Sequence, residues 1–169
     1  MKLKLYGTAI TGKPPEQLIQ EAINDLDRLL KFNKSVERLC LLGSAYKRKA
    51  WIAPGPQRKE SLAKMARYFR EAQISNEKHR LLDSFPTLNL LAAEILLGWY
   101  GGTPEVSPAD LKGLCEQLRA YAVEMYQQEP NFRNSITMPE CDLILALAGN
   151  TLNEQKRLLV DAYRHAMKH

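Results

Sequence analysis

The chain has 169 residues, of which 45% are hydrophobic, enough for one domain with its own core and too few for two ordinary domains. Charged residues make up 25% of the sequence, a share typical of folded proteins that argues against intrinsic disorder. The net charge of +5 permits nucleic acid or acidic proteins as partners and requires neither.

Helical spacing of apolar residues dominates the chain, and no segment shows a convincing strand alternation. Residues 1–12 are predicted to form an N-terminal tail, and the Pro14-Pro15 pair starts the first helix because proline lacks the amide hydrogen that is unpaired there. Ser35 is the expected N-cap of the second helix, and Ser107 that of the fifth. The seven predicted helices cover residues 13–32, 35–52, 58–75, 86–100, 107–129, 139–148 and 152–168.

These helices follow one another through short loops, which favours an all-α fold of about seven antiparallel helices in one domain spanning residues 1–169. The longest apolar stretch, residues 88–100, is too short and too polar to span a bilayer. Three well-separated cysteines without CxxC spacing indicate buried thiols in a reducing compartment. We therefore expect a cytoplasmic protein that does not enter a membrane.

The second and third helices share the spacing of a known helical repeat. Apolar and small residues on the second helix fall at repeat positions 4, 7, 8 and 11: Leu39, Leu42, Gly43 and Tyr46. Residues of the third helix follow at positions 20, 24 and 27: Met65, Phe69 and Ala72. The later helices repeat the pattern more loosely, so residues 35–168 resemble three degenerate tetratricopeptide repeats (TPRs) preceded by one extra helix.

The TPR resemblance implies a superhelix whose concave groove is lined mainly by the first helix of each pair. On that mapping the first pair presents Glu37, Cys40, Ser44, Lys47 and Arg48, the second Asn89, Ala93, Leu96 and Leu97, and the third Asp142 and Leu145. The partner-binding residues that we select from this set are Glu37, Ser44, Lys47, Arg48, Asn89 and Leu96. Lys47 and Arg48 would supply charge, Asn89 a hydrogen bond and Leu96 an apolar wall. Trp51 and Trp99 are interpreted as packing residues; if exposed, they would instead be interface anchors.

Charge is distributed unevenly along the chain. Residues 31–80 contain thirteen cations and four anions, whereas residues 81–169 contain seven cations and eleven anions. The basic segment is either an ordinary solvated helix face or a patch for an acidic partner. We therefore expect the groove to bind a protein or peptide, with nucleic-acid binding by the basic face of residues 31–80 as the less favoured alternative.

No pattern for catalysis or for a cofactor is present. The glycines show neither GxGxxG nor GxxxxGK spacing, and no histidine pairs with a glutamate in an ExxH pattern. We therefore expect a non-catalytic module without a metal or cofactor. Residues 37–49 also resemble the TPR segments beside caspase-like (CHAT) peptidase domains in bacterial defence proteins, which implies a sensing or regulatory chain. An effector domain or a second copy of the chain would then cover its open end.

Overall fold

The computed structural model describes residues 12–78 and 83–168, and within these ranges it contains seven α-helices and no strand. Residues 1–11 of the expected tail lie outside the described residues. The helices are α1 (Pro15–Phe32), α2 (Val36–Ile52), α3 (Gly55–Lys78), α4 (Ser84–Trp99), α5 (Pro108–Gln128), α6 (Phe132–Ala148) and α7 (Leu152–Ala166). None of them is long and apolar enough to cross a membrane.

Local chemistry sets most helix boundaries where the sequence predicts them. The side chain of Ser35 accepts a hydrogen bond from the amide of Arg38, and that of Ser107 accepts one from the amide of Asp110. The predicted bounds of α3 are too narrow, because this helix begins directly at Gly55 and continues to Lys78. Helix α4 begins at Ser84, since the Asp83 carboxylate caps it by accepting from the amide of Phe85 at 3.0 Å.

The prediction that Pro139 opens the sixth helix is wrong. Helix α6 begins seven residues earlier at Phe132, after Asn131, whose side-chain oxygen accepts from the amide of Asn134 at 2.9 Å. Pro139 lies buried inside the helix, where it removes one amide donor from the ladder. Packing of the buried proline and the capped start keep the helix continuous, so tertiary context overrides the local signal.

The helices are arranged as a TPR-like superhelix in which α1 precedes three successive pairs. Helix α2 packs closely on α3, α3 on α4, α5 on α6 and α6 on α7. The middle pair departs from the regular pattern, because α4 and α5 approach each other over only a few residues and α4 packs more on α6. The hairpin contact within that pair is therefore weaker than in the first and third pairs.

The hydrophobic interior is divided into two clusters that share α4. The first core joins α1, α2, α3 and one side of α4 around the fully buried Phe69 and Leu42. The second core joins the other side of α4 to α5 and α6 around Leu91, Cys115 and Cys141. Both of these cysteines are buried as expected, whereas Cys40 is half-buried. Among the described residues, α4 alone contributes side chains to both cores.

Close approach of α2 and α3 depends on the absence of a side chain at Gly43. A Cβ atom built there would lie 2.7 Å from Cε2 of Phe69, whose ring is fully buried. This is the contact for which a TPR requires a small residue at position 8, so the repeat assignment of the first pair is confirmed in its geometry. The Phe69 ring is fully buried in the first core, where close packing leaves side chains little space to move.

One carboxylate is buried in the otherwise apolar helix α4. The side chain of Glu94 is 3% exposed and forms an ion pair with Arg70 of α3. Its other oxygen accepts from the amide of Glu105 at 2.7 Å, and the Glu105 carboxylate pairs with Arg70 as well. This Arg70–Glu94–Glu105 cluster fastens the loop between α4 and α5 to the first helix pair.

Replacing Gly43 by alanine is expected to lower the free energy of unfolding by about 1–3 kcal/mol, because the new Cβ overlaps the Phe69 ring. Gly113→Ala is the matched control, since a Cβ at this position inside α5 meets no atom within 4 Å. The free energy of unfolding of that control should rise by about 0.5–1 kcal/mol, because alanine has a higher helix propensity than glycine. Urea unfolding followed by circular dichroism measures both, and equal effects of the two substitutions would contradict the close approach.

Replacing Arg70 by methionine is expected to lower the free energy of unfolding by about 3 kcal/mol or more, because it leaves the Glu94 carboxylate buried without its cation. The double variant Arg70→Met/Glu94→Gln should recover part of that loss. Lys112→Met removes an exposed ion pair with Glu116 and should change stability by less than about 0.5 kcal/mol. Thermal unfolding of the four proteins tests the cluster, which would be unimportant if Arg70→Met behaved like Lys112→Met.

Candidate partner-binding groove

A cavity of about 440 Å³ lies between α2, α4 and α6, the first helices of the three pairs, with one residue from α7 at its edge. We call it the α2–α4–α6 groove. Its lining residues are Ser44, Lys47, Arg48, Trp51, Phe85, Leu88, Asn89, Ala92, Glu140, Leu143, Ile144 and Tyr163. The volume lies in the range of protein sites that hold a small molecule or a few side chains of a peptide.

Lys47 is held in place at the centre of the cationic end. Its Nζ donates a hydrogen bond to Oδ1 of Asn89 at 2.9 Å, and it lies 5.9 Å from the centroid of the Trp51 ring. The amide nitrogen of Asn89 donates in turn to the Phe85 carbonyl oxygen at 2.9 Å, one turn back along α4. Asn89 therefore fixes the position of the Lys47 ammonium group between α2 and α4.

Partial burial shifts the pKa values of the charged groups on the two sides of the groove, because it disfavours their ionised forms. Burial lowers the pKa of Lys47, an effect that the nearby Glu140 carboxylate opposes and Arg48 strengthens. Burial raises the pKa of Glu140, and the attraction of Lys47 offsets part of that rise. The pKa of Tyr163 rises to about 12, mainly by burial and further by the charge of Glu140. The groove is therefore a partly dehydrated site with two cations on α2 and one carboxylate on α6.

The structure brings four of the six selected residues together, since Ser44, Lys47, Arg48 and Asn89 all line the groove. Glu37 is exposed nearer the start of α2 and does not line it. Leu96 is half-buried and packs against the first core.

Other residues that the repeat mapping placed in the groove have structural contacts. Ala93 and Leu97 are buried within the first core, and Leu145 packs against the second. Asp142 forms an ion pair with Arg119 of α5 at 3.4 Å, and Cys40 is half-buried against the first core. Of the mapped α4 residues, Asn89 near the start of the helix lines the groove, and the later ones do not.

The interpretation of the two tryptophans as packing residues is wrong. The side chain of Trp51 is 68% exposed and lines the groove, and that of Trp99 is 58% exposed at the end of α4. Sequence reasoning also missed Glu140, because the sixth helix was expected to start at the preceding proline. Tyr163 of α7 also lines the groove, a position that depends on how α7 packs on α6.

Many cations of the basic segment have structural partners. Arg38 donates to the carbonyl oxygens of Leu29 and Asn33, at 3.1 and 2.8 Å, and so satisfies the end of α1. Arg58 donates likewise to the carbonyls of Ala50 and Ala53 at the end of α2. Arg48, by contrast, is exposed and forms no hydrogen bond or ion pair within the described parts of the chain. Many of these cations therefore stabilise the fold itself, whereas Arg48 remains an exposed cation at the groove.

The described residues contain no group of three or more histidine, cysteine, aspartate or glutamate side chains that could hold a metal ion. His79 and His169 fall outside these residues. What the groove offers is recognition chemistry: a lysine and an arginine for carboxylates, a tryptophan and aliphatic side chains for apolar groups, and two hydroxyl groups.

Replacing Glu140 by glutamine is expected to raise the free energy of unfolding at about pH 7 and to have little effect at about pH 4. The pKa of Glu140 is higher in the folded chain than its ordinary value of 4.5, so the ionised carboxylate destabilises the fold above that pKa. Below both pKa values the carboxyl is neutral in either state, and glutamine gains nothing. Urea unfolding at both pH values measures the difference, and an effect of equal size at the two would contradict the dehydrated environment.

Comparison with protein families adds one finding. A family model described as Tetratricopeptide Repeats-Sensor, TPR-S, matches residues 3–94, more than half of the chain. No curated protein and no solved structure matches the chain. The matched region reaches from before α1 into α4 and contains the Gly43–Phe69 contact and the cationic end of the groove. The helical superhelix and this match together show that the chain belongs to the Tetratricopeptide Repeats-Sensor family.

Proposed function

We propose that the chain is a non-catalytic sensor module that binds an acidic, partly apolar peptide segment of a protein partner in the α2–α4–α6 groove. The observation that carries this proposal is the pairing of Lys47 and Arg48 with the exposed Trp51 at one end of a continuous cavity. A TPR family implies a protein-interaction or sensor role, and the groove is the surface on which such folds hold extended or helical segments.

Charge favours an acidic anchor at the α2 end. Arg48 is exposed without an ion pair in the described residues, and Lys47 has only the neutral Asn89 as its hydrogen-bond acceptor. A carboxylate of the partner placed between them would form charge-assisted hydrogen bonds that replace the interactions with water lost by Lys47 on partial burial. The same carboxylate would be repelled by Glu140 on α6, which sets the direction in which an acidic peptide lies in the groove.

Apolar contacts would supply most of the affinity. Trp51 and Phe85 are 68% and 46% exposed at the groove, so a partner gains free energy by covering them. Leu88 and Ile144 are buried beneath and form a fixed apolar floor. Tryptophan beside arginine, with an apolar floor, is the composition at which binding energy concentrates in protein interfaces.

Binding in this manner would make the chain the regulatory part of a larger system. The resemblance of residues 37–49 to TPR segments of CHAT-containing proteins favours an effector domain as the regulated element. Two exposed apolar side chains, Leu158 of α7 and Met167 directly after it, provide surface for such a domain or for a second copy of the chain. In either arrangement the partner would bind in the groove, and the effector domain or the second copy would respond to that binding.

A library of random displayed peptides, selected on the purified chain, tests the proposal without a known partner. We expect enrichment of peptides that combine carboxylates with aromatic or branched apolar residues. Lys47→Glu/Arg48→Glu should weaken a selected peptide at least about tenfold, because it places two anions where the peptide carboxylate binds. Isothermal titration calorimetry at constant salt measures the affinities.

Lys156→Glu/Arg157→Glu on α7 is the matched control, since it reverses an exposed Lys-Arg pair outside the groove with the same change in net charge. Its peptide affinity should equal that of the original chain. Equal loss in both variants would indicate nonspecific electrostatics. Enrichment of basic peptides, or steeply salt-dependent binding of an RNA oligonucleotide in place of peptides, would move the function to nucleic-acid binding by the basic face.

A further inference from the structure

Glu140 is the only acidic side chain among the described residues that line the α2–α4–α6 groove. It follows the buried Pro139 inside α6 and is half-buried. Its charge acts on Lys47 of α2 and raises the pKa of Tyr163 of α7, and both of these residues line the same groove. Because groups on two other walls of the groove respond to its charge, the carboxylate lies on the groove side of α6.

The Glu140 carboxylate has little compensation for its charge in the free chain. Within the described parts of the chain it accepts no hydrogen bond and forms no ion pair. Lys47 attracts it only from a distance, since the Lys47 ammonium group is bound to Asn89. Burial therefore raises the pKa of Glu140 by more than Lys47 lowers it. A carboxylate in this state gains free energy when a partner supplies the missing cation.

The surroundings of Glu140 suit a long basic side chain. The Tyr163 hydroxyl oxygen can accept a hydrogen bond from an ammonium or guanidinium group. Leu143 and Ile144 line the groove beside Glu140 and provide aliphatic surface. Lysine and arginine carry a charged head on an apolar stem, and they bury the stem along apolar surface while the head reaches polar groups. The α6 wall therefore matches a basic residue of a bound segment.

We propose that Glu140 binds a lysine or arginine side chain of the segment held in the groove, with the ammonium or guanidinium group donating to its carboxylate. This inference rests on the proposed function and narrows the partner to a segment that has both an acidic and a basic residue. The acidic residue lies at Lys47 and Arg48 on α2, and the basic residue lies on α6. A segment bound in the reverse direction would bring like charges together at both walls, so the groove accepts one direction only.

Substitutions in a peptide selected on the purified chain test this contact. The selected peptides should share a lysine or arginine at a constant offset from their carboxylate. Replacing that basic residue of the peptide by glutamine should weaken binding to the original chain about tenfold. The two peptides should bind Glu140→Gln with equal affinity, because glutamine has no charge with which to attract the cation. Isothermal titration calorimetry at constant salt measures the four affinities as a double-mutant cycle.

Asp142→Asn is the matched control on α6. The Asp142 carboxylate pairs with Arg119 and does not line the groove, so this variant should keep the tenfold preference for the basic peptide. Glu140→Lys should instead prefer a peptide whose basic residue is replaced by glutamate. Circular dichroism checks that each variant keeps its helical content. Equal loss of the preference in Asp142→Asn and Glu140→Gln would indicate long-range electrostatics and overturn the direct contact.

The outcomes separate this inference from the proposed function. Acidic peptides that depend on Lys47 and Arg48 but carry no basic residue at a constant position would overturn the role of Glu140 alone. A basic residue whose contribution persists in Glu140→Gln would do the same. Unchanged affinity in Lys47→Glu/Arg48→Glu, with the preference still lost in Glu140→Gln, would overturn the acidic anchor and leave the Glu140 contact standing. A library that yields no binding peptide would overturn both.

Stability of the free chain gives a test that needs no peptide. Glu140→Gln should unfold at a higher urea concentration than the original chain at about pH 7, because the carboxylate has no cation beside it before the partner binds. A lower midpoint for Glu140→Gln would mean that an intramolecular cation already occupies the carboxylate. That result would contradict the inference whatever the peptides show.

Discussion

The placement of helices α5–α7 relative to helices α1–α4 depends on one constraint, the burial of the Glu94 carboxylate in helix α4. An ionised side chain inside an apolar helix is stable only when a cation and hydrogen-bond donors reach it. Arg70 reaches it from α3, and the amide of Glu105 reaches it from the loop that leads to α5. Since α4 contributes to both hydrophobic cores, fixing α4 against α3 also fixes the base on which α5 and α6 assemble.

The candidate groove follows from that placement. It needs α2 and α6 on either side of α4, so it is not built from one repeat alone. A degenerate repeat protein with weak internal similarity can therefore still form a defined recognition surface. Its specificity lies in the side chains where one helix pair meets the next.

Sequence reasoning predicts helices well where caps and glycines act locally, and poorly where tertiary packing decides. Ser35 and Ser107 cap as expected, and Gly43 permits the approach of Phe69 that the repeat spacing implies. Pro139 was taken as a start signal, but burial inside α6 makes it compatible with a continuous helix. The position of Lys47 beside Asn89 follows from the repeat register. The exposure of Trp51 does not, since it depends on which neighbours the fold brings against that side chain.

The division of the interior into two cores that share one helix also gives the protein a thermodynamic property. Contacts in a stacked helical array are mostly between neighbours, so we expect separation of the α5–α7 half from the α1–α4 half to cost less free energy than global unfolding. The family match ends within α4, and the groove residues Glu140, Ile144 and Tyr163 lie beyond it. A ligand that touches both halves binds only the docked state, and it therefore shifts the docking equilibrium in proportion to its concentration and affinity. Occupancy of the groove would thus be converted into cohesion between the halves, a signal that a domain attached to either end could sense.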